Sequence, residues 1–403
     1  MLLGGLAARS GLLPAYALWP RADAPLIAVD LRSRPAAAWL RTTFEPDARA
    51  PALVSAATWN AVRARALVLG EPGRVTIGAA ENGLGRALRR PRMCTFSLTG
   101  ARLSKITCFV FERGEAAPSV VVKAMPERRN AERLRHETEF VETLRSRLSP
   151  ALAVVLPLRP LWAGELGGDY LVVQPVDRLA CATGRGGSPA ALRWLREFQA
   201  ETTERFEDWS PDDTRLAAEH VGHAWGRVRP QTEPAVSARV HELLGALEGQ
   251  AVRRCAVHGD FWRGNVAEGS DGLRVYDWEW SGLAGDPFVD LWTYELAELR
   301  QRAERHRLDL ARALEAALDR VREQLLAQDI DTRFALASAA PVLGWLAFRV
   351  RRATGLPGGG EEASAKLMAA LEPLILRPDL GVEGPLRARS RTPPASAPPS
   401  GGP

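Results

Sequence analysis

Three side chains stand where phosphoryl-transfer chemistry could use them. Asp260 follows the apolar pair Ala256-Val257 in the loop His258-Gly259-Asp260-Phe261-Trp262-Arg263-Gly264-Asn265, and Asp277 ends the run Leu273-Arg274-Val275-Tyr276. A carboxylate held in such a glycine-flanked loop can orient an attacking hydroxyl. The amide oxygen of Asn265 and the carboxylate of Asp277 are hard donors of the kind Mg²⁺ takes while keeping several waters, so they could hold the ion against nucleotide phosphates. Singly, each is explained as well by a turn in which Asp or Asn hydrogen-bonds the backbone. Their order and spacing together point to a site. His258 reads as a structural residue that holds the loop, not as the group that takes the proton.

Such a site needs elements to carry it. Ser119-Val120-Val121-Val122-Lys123-Ala124-Met125-Pro126 has strand character, and a lysine inside it is costly to bury without an anionic partner. A helix expected over 130–148 offers Glu137 and Glu139. Glu137 is preferred because Val141 and Leu144, at helical spacing behind it, set the inward face. A snorkelling lysine and a solvated glutamate would explain the two residues taken alone. Upstream, 95–111 has strand character on both sides of a turn containing Gly100 and Ser104. Downstream, 157–158 and 161–162 lead into a strand over 169–176 that closes with Gln174-Pro175-Val176, followed by a glycine-rich hinge over 180–189. From Ser188, an N-cap candidate, the pattern predicts helices over 189–205, 217–228, 235–247, 288–306, 308–328, 331–354 and 361–376.

At 403 residues the chain can bury a substantial core and form two or three packed units. Apolar and charged contents of 46% and 25% are those of a soluble globular protein. The net charge of +5 comes partly from arginines in the terminal regions, so it is read as solvated surface and not as a nucleic-acid footprint. Cys94, Cys108, Cys181 and Cys255 form no C-x-x-C pair and no zinc-type spacing, which fits buried thiols in a reducing, cytoplasmic compartment. The apolar N-terminal stretch is broken by Arg9 and Ser10. Each piece is shorter than the roughly 18 residues of a membrane span, and no charged leader precedes them. Neither membrane nor nucleic acid is expected as a partner. Residues 1–92 are expected to form an extension of α/β character, with strands over 25–30, 66–69 and 74–77 and helices over 35–40 and 55–66. The glycines at 78–85 depart from G-x-G-x-x-G and read as a surface turn. The last stretch, 377–403, is rich in Pro, Ser, Gly and Arg without apolar periodicity and is expected to be disordered.

Taken as an ordered series, these features resemble the aminoglycoside phosphotransferase family, the small-molecule branch of the protein-kinase-like fold, with choline and homoserine kinase relatives. The resemblance runs from about Thr95 to about Leu376. It is most specific in H-G-D-F-W-R-G-N at 258–265, V-Y-D-W-E-W-S-G at 275–282 and Gly285-Asp286-Pro287-Phe288-Val289-Asp290. Protein kinases usually carry H-R-D with a later lysine, so Gly259 and the missing lysine favour the small-molecule branch. The resemblance implies an α+β, two-lobed protein-kinase-like fold, with an antiparallel-sheet N-lobe over 93–178 and a mostly helical C-lobe over 179–376. It implies ATP and Mg²⁺, with Lys123 on the α/β-phosphates, Glu137 holding Lys123, Asp260 as catalytic base, and Asn265 and Asp277 as metal ligands. Gln174 to Val176 would be the connector beside adenine. Gly100 and Ser104 match the nucleotide loop loosely, and Asp286 and Asp290 would cap and brace the following helix. The implied reaction moves the γ-phosphate of Mg·ATP to a hydroxyl of a small molecule such as a sugar, an amino alcohol or an aminoglycoside-like compound. A nucleotide-binding pseudokinase without turnover is the alternative, and the complete catalytic set counts against it. For the acceptor, Glu204, Glu207, Asp208, Asp212 and Asp213 could meet a cation, and Trp194, Trp209, Trp225 and Trp280 could stack on a sugar or an ammonium. Solvated turns and helix-core positions are the expected role of most of them.

Overall fold

The computed structural model describes residues 16–19, 27–30, 92–99, 105–112, 115–125, 128–166, 169–176, 189–269, 272–305, 309–354 and 361–378. The elements expected at 35–40, 55–66, 66–69 and 74–77, the turn at 78–85, Gly100, Ser104, nearly all of the hinge and the tail lie outside the described residues.

One antiparallel sheet carries the first half of the site. Its strands are β1 (Tyr16–Trp19), β2 (Ile27–Asp30), β3 (Arg92–Thr99), β4 (Lys105–Glu112), β5 (Val120–Met125), β6 (Trp162–Leu166) and β7 (Asp169–Pro175). They are ordered β1-β2-β3-β4-β5-β7-β6. The strand expected near 25–30 forms as β2 and pairs with β3 through Ala28↔Phe96, so part of the first 92 residues joins this sheet instead of standing wholly apart. Helix α1 (Arg128–Arg147) packs on the sheet, burying Leu134 against Tyr170 and Val172 of β7. A short turn of helix, α2 (Pro150–Ala153), leads on to β6.

The second half is mostly helical: α3 (Pro189–Glu201), α4 (Pro211–Val228), α5 (Glu233–Gly245), α6 (Pro287–Arg305), α7 (Leu310–Leu326), α8 (Arg333–Thr354) and α9 (Glu361–Leu376). Trp225, Trp292, Phe334 and Leu367 are among the fully buried side chains of their common core. Two small sheets are set among the helices. One has the order β12-β9-β8, from β8 (Arg205–Asp208), β9 (Ala251–Val257) and β12 (Gly282–Gly285). The other is the hairpin of β10 (Val266–Gly269) and β11 (Gly272–Val275).

Two boundaries differ from the sequence expectation. The helix expected to run to 205 stops at Glu201, where the hydroxyls of Thr202 and Thr203 turn back to the carbonyls of Phe198 (2.7 Å) and Gln199 (2.8 Å). Residues 205–208 then pair with β9. The helix expected from 217 begins at Pro211, because Ser210 and Asp213 close a capping box and Pro211 suits the first turn. Among the described residues no helix is long and apolar enough to cross a membrane.

Candidate active site

The catalytic-loop residues are placed by strand geometry. β9 is buried along most of its length and delivers the chain to His258. After the loop, a single 3-10 turn (Arg263–Asn265) leads into β10, and the β10–β11 register sets Val266 opposite Val275. One step beyond that pair, the Tyr276 N–H donates to the Asn265 carbonyl at 2.8 Å. The hairpin therefore brings Asn265 beside the approach to Asp277, although twelve positions separate them in sequence.

Within the loop, Asn265 Nδ2 donates to the Asp260 carbonyl (2.9 Å) and to its Oδ2 (3.1 Å). That assigns the amide nitrogen to Asp260 and leaves the amide oxygen as the group a cation would take. His258 is fully buried, its Nδ1 accepts from the Asp260 N–H (3.1 Å), and its Nε2 lies 2.8 Å from the Tyr276 carbonyl. An acceptor Nδ1 fixes the neutral tautomer with the proton on Nε2, donated to Tyr276. His258 therefore ties Asp260 to the stretch before Asp277, the structural role its sequence context suggested.

Gly259 has φ +72°, and a Cβ there would lie 2.2 Å from the Trp280 carbonyl oxygen. The position thus needs glycine for both conformation and space. Asp277 also has a positive φ, 62°, a conformation a non-glycine residue keeps only when its surroundings impose it.

Lys123 joins the two halves of the molecule. Its Nζ lies 2.6 Å from Glu137 Oε1 and 2.9 Å from Asp277 Oδ1. Lys123 and Glu137 are 7% and 4% exposed, so the charges are paired out of water, and Glu137 Oε2 has no hydrogen-bond partner among the described residues. Glu139 is exposed, and the structure resolves the choice between the two glutamates in favour of Glu137. Gln174, on β7, donates from Nε2 to the Leu158 carbonyl at 3.3 Å. The Val176 N–H donates to Ser119 O at 3.1 Å.

Asp286 and Asp290 stand at the start of α6, where the Val289 N–H donates to the Asp286 carbonyl at 3.1 Å. The fully buried carboxylate of Asp290 also accepts from the N–H groups of His258 (2.7 Å) and Gly259 (2.8 Å), bracing the catalytic loop. Asp286 pairs through its side chain with Arg254, which also binds Glu207 (3.1 Å) and Asp213 (3.0 Å). The G-D-P-x-x-D segment was the available signal, but sequence spacing alone does not say which backbone amides its second aspartate meets.

Four of the five residues of the acidic cluster are engaged within the protein: Glu204 with Arg147, Glu207 with Arg205 and Arg254, Asp212 with Arg215, and Asp213 with Ser210 and Arg254, while Asp208 is exposed. Burial would raise the Asp213 pKa, but the Ser210 cap and the Arg254 charge hold it below the usual carboxylate range. Trp194, Trp209 and Trp225 are core residues, whereas Trp280 is half-buried. Behind the loop, burial chiefly, with the charge of Asp290, pushes the Cys255 thiol up to about 12, so it is no nucleophile at neutral pH.

Among the described residues no three His, Cys, Asp or Glu side chains converge as a metal cage. Mg²⁺ is held by one or two protein oxygens together with phosphates, and the amide oxygen of Asn265 and the carboxylate of Asp277 are oxygen donors of that kind. Lys123, Glu137, Asp260 and Asp277 set three carboxylates against one ammonium. Polyphosphate would be repelled from such a set unless a cation accompanied it.

This is the fold and site of a kinase-like small-molecule phosphotransferase, with the lysine, glutamate, loop aspartate, asparagine and second aspartate in one place. The chain belongs to the Phosphotransferase enzyme family, whose model matches residues 109–324. Among solved structures it is similar to a thermostable mutant of aminoglycoside phosphotransferase APH(4)-Ia in a ternary complex with ADP and hygromycin B. That match has 14% identity, covers 74% of this chain and 98% of that one, and has a TM-score of 0.47. Choline kinase LicA from Streptococcus pneumoniae matches at 12% identity over 74% and 99% of the two chains, with a TM-score of 0.46. A glucosamine kinase in complex with glucosamine, ADP and inorganic phosphate matches at 16% identity over 67% and 79%, with a TM-score of 0.40. No curated protein matches in sequence.

Proposed function

We propose that this kinase moves the γ-phosphate of Mg·ATP to a hydroxyl of a small molecule, a sugar, an amino alcohol or an aminoglycoside-like compound. The observation that carries the proposal is Lys123 held at once by buried Glu137 and by Asp277. A buried ammonium with two carboxylate partners is poised to meet phosphate charge at the place where a cation ligand stands.

In this reading Lys123 binds the α/β-phosphates and Glu137 keeps its ammonium directed there. The backbone of Gln174 to Val176 lies beside adenine. Asn265 and Asp277 supply oxygens to Mg²⁺, which when bound neutralises phosphate charge and orients the leaving group. Asp260 accepts a hydrogen bond from the acceptor hydroxyl, aligns it for in-line attack and takes its proton. His258 holds the Asp260 backbone N–H, and Asn265 holds the Asp260 carboxylate in one orientation. Most of the acceleration then comes from positioning and charge stabilisation. The reaction is assigned to the cytoplasm, where the buried, unpaired thiol of Cys255 stays reduced.

The test is a coupled assay of ATP consumption over sugars, amino alcohols and aminoglycosides. At least one acceptor is expected to be phosphorylated, and Asp260→Asn is expected to lower that turnover by about 10²-fold or more while nucleotide binding persists. Undiminished turnover in Asp260→Asn would remove Asp260 from the role. Nucleotide binding without turnover on any acceptor would favour the pseudokinase alternative.

A further inference from the structure

α1 does more than carry Glu137. Arg133, His136, Glu137 and Phe140 stand at i, i+3, i+4 and i+7, one face of the helix. Each meets Asp277 or the turn just after it. The Arg133 guanidinium lies 4.3 Å from the centre of the Trp280 ring. His136 Nε2 is 2.9 Å from the Ser281 carbonyl and 3.3 Å from its Oγ. Glu137 reaches Asp277 through Lys123. Phe140 stacks on the fully buried Trp278 at 6.0 Å between ring centres.

The turn also has its own fixed points. The Ser281 N–H and hydroxyl both donate to the Trp278 carbonyl, at 3.1 and 2.6 Å, so Ser281, Trp278 and the intervening Trp280 move as a unit. Trp280 presents its carbonyl against Gly259, next to Asp260. A shift of α1 along its axis would therefore be felt at Lys123, at Asp277 and at the catalytic loop together. Asp277, with its φ of 62°, is the residue most dependent on such outside support.

We propose that Arg133 and His136 are positioning residues that latch α1 to the turn after Asp277, so that one helix face sets both the lysine pair and the metal-side carboxylate. The inference rests on the phosphotransfer reading for its consequence and on contacts within this chain for its geometry. Arg133 contributes a planar cation over an aromatic face, which an ammonium on a flexible stem does not reproduce. His136 contributes a directed N–H to a main-chain carbonyl.

The experiment compares full-length parent, Arg133→Ala, His136→Leu and His136→Gln by two measurements. Hydrogen exchange without nucleotide is read over residues 277–282, and ADP affinity is titrated with and without Mg²⁺. In Arg133→Ala and His136→Leu the amides of 277–282 are expected to exchange about fivefold faster at an unchanged thermal midpoint. The gain in ADP affinity conferred by Mg²⁺ is expected to fall by about fivefold, with the Mg²⁺-free affinity unchanged. His136→Gln, whose amide nitrogen can reach the same carbonyl, is expected to stay near the parent. Unchanged exchange at 277–282 overturns the latch, and so does exchange that rises over the whole chain with a lowered midpoint. Faster exchange there with the Mg²⁺ gain intact also overturns it, because the turn would then be held without positioning Asp277. If the parent itself shows no Mg²⁺-dependent gain, the phosphotransfer reading fails, and the exchange data alone decide the latch.

Discussion

At the scale of single residues, the site is defined by groups that tolerate no ordinary neighbour. Lys123 sits 7% exposed between two carboxylates, and Glu137, 4% exposed, has one oxygen with no hydrogen-bond partner among the described residues. Lys123→Met leaves the Glu137 carboxylate buried without its cation and is expected to cost about 3 kcal/mol in urea unfolding, besides abolishing turnover. Glu137→Gln keeps an acceptor for the ammonium and is expected to cost about half as much; equal losses in the two variants would show that the pair is not what the burial makes costly. Gly259→Ala meets both a positive φ and a carbonyl oxygen 2.2 Å from the new Cβ, and is expected to cost about 2–4 kcal/mol and to disable the loop. Lys123, Glu137, Asn265 and Asp277 were legible in the chain as residue types in an ordered series. The direct bond from Lys123 to Asp277 was not, because it spans 154 positions and depends on how two separate sheets meet. The requirement at Gly259 also depends on a distant carbonyl, that of Trp280.

At the scale of elements, the catalytic loop is held from behind by the first turn of α6. Asp290 accepts from two consecutive buried N–H groups, those of His258 and Gly259. Asp290→Ala removes the acceptor of both donors, and each unsatisfied group costs about 1–3 kcal/mol, so a loss of about 2–6 kcal/mol is expected together with a drop in kcat that exceeds any change in KM for nucleotide. Asp309→Ala, which removes the exposed N-cap of α7, is the contrasting variant, expected to cost about 1 kcal/mol and to leave kcat unchanged. A kcat unchanged in Asp290→Ala would mean that the loop keeps its shape without this carboxylate. The long helices were legible because their apolar positions repeat every three or four residues over several turns. β8 was not, since its four residues bury at most one face partially at a sheet edge and so leave no alternation to read. The early start of α4 was hidden for another reason: Pro211, Asp212 and Asp213 look like a turn until Ser210 and Asp213 are recognised as a reciprocal cap.

At the scale of the whole molecule, arginine–carboxylate pairs tie separated elements together and give stability an acid limb. Glu372 on α9 takes bonds from Trp225 Nε1 (3.1 Å), Arg229 Nη2 (3.0 Å) and Thr232 Oγ1 (2.6 Å), joining α9 to α4 and to the start of α5. Burial would raise its pKa, but these donors and the Arg229 charge outweigh burial and hold it below the ordinary 4.5. Asp213 and Asp331 are likewise held below their ordinary 3.8, by Ser210 with Arg254 and by Arg333, against the opposing effect of burial. A carboxylate depressed in the folded state contributes stability that is fully present above its unfolded pKa and is lost as pH falls through the folded one. The protein is therefore expected to keep its stability from neutral pH down to about the unfolded carboxylate values and to lose it progressively below them. Because Arg254 links Asp213 to Asp286 and Glu207, the loss reaches the scaffold behind the catalytic loop as well as the helical core. Urea midpoints of parent and Glu372→Gln from pH 7 to pH 3 test this account. The variant should be the less stable at neutral pH, and the gap should close below 4.5, where the parent carboxylate takes up its own proton. A gap that stays constant across that range would mean that Glu372 stabilises the junction by packing and neutral hydrogen bonds, with no contribution from its charge.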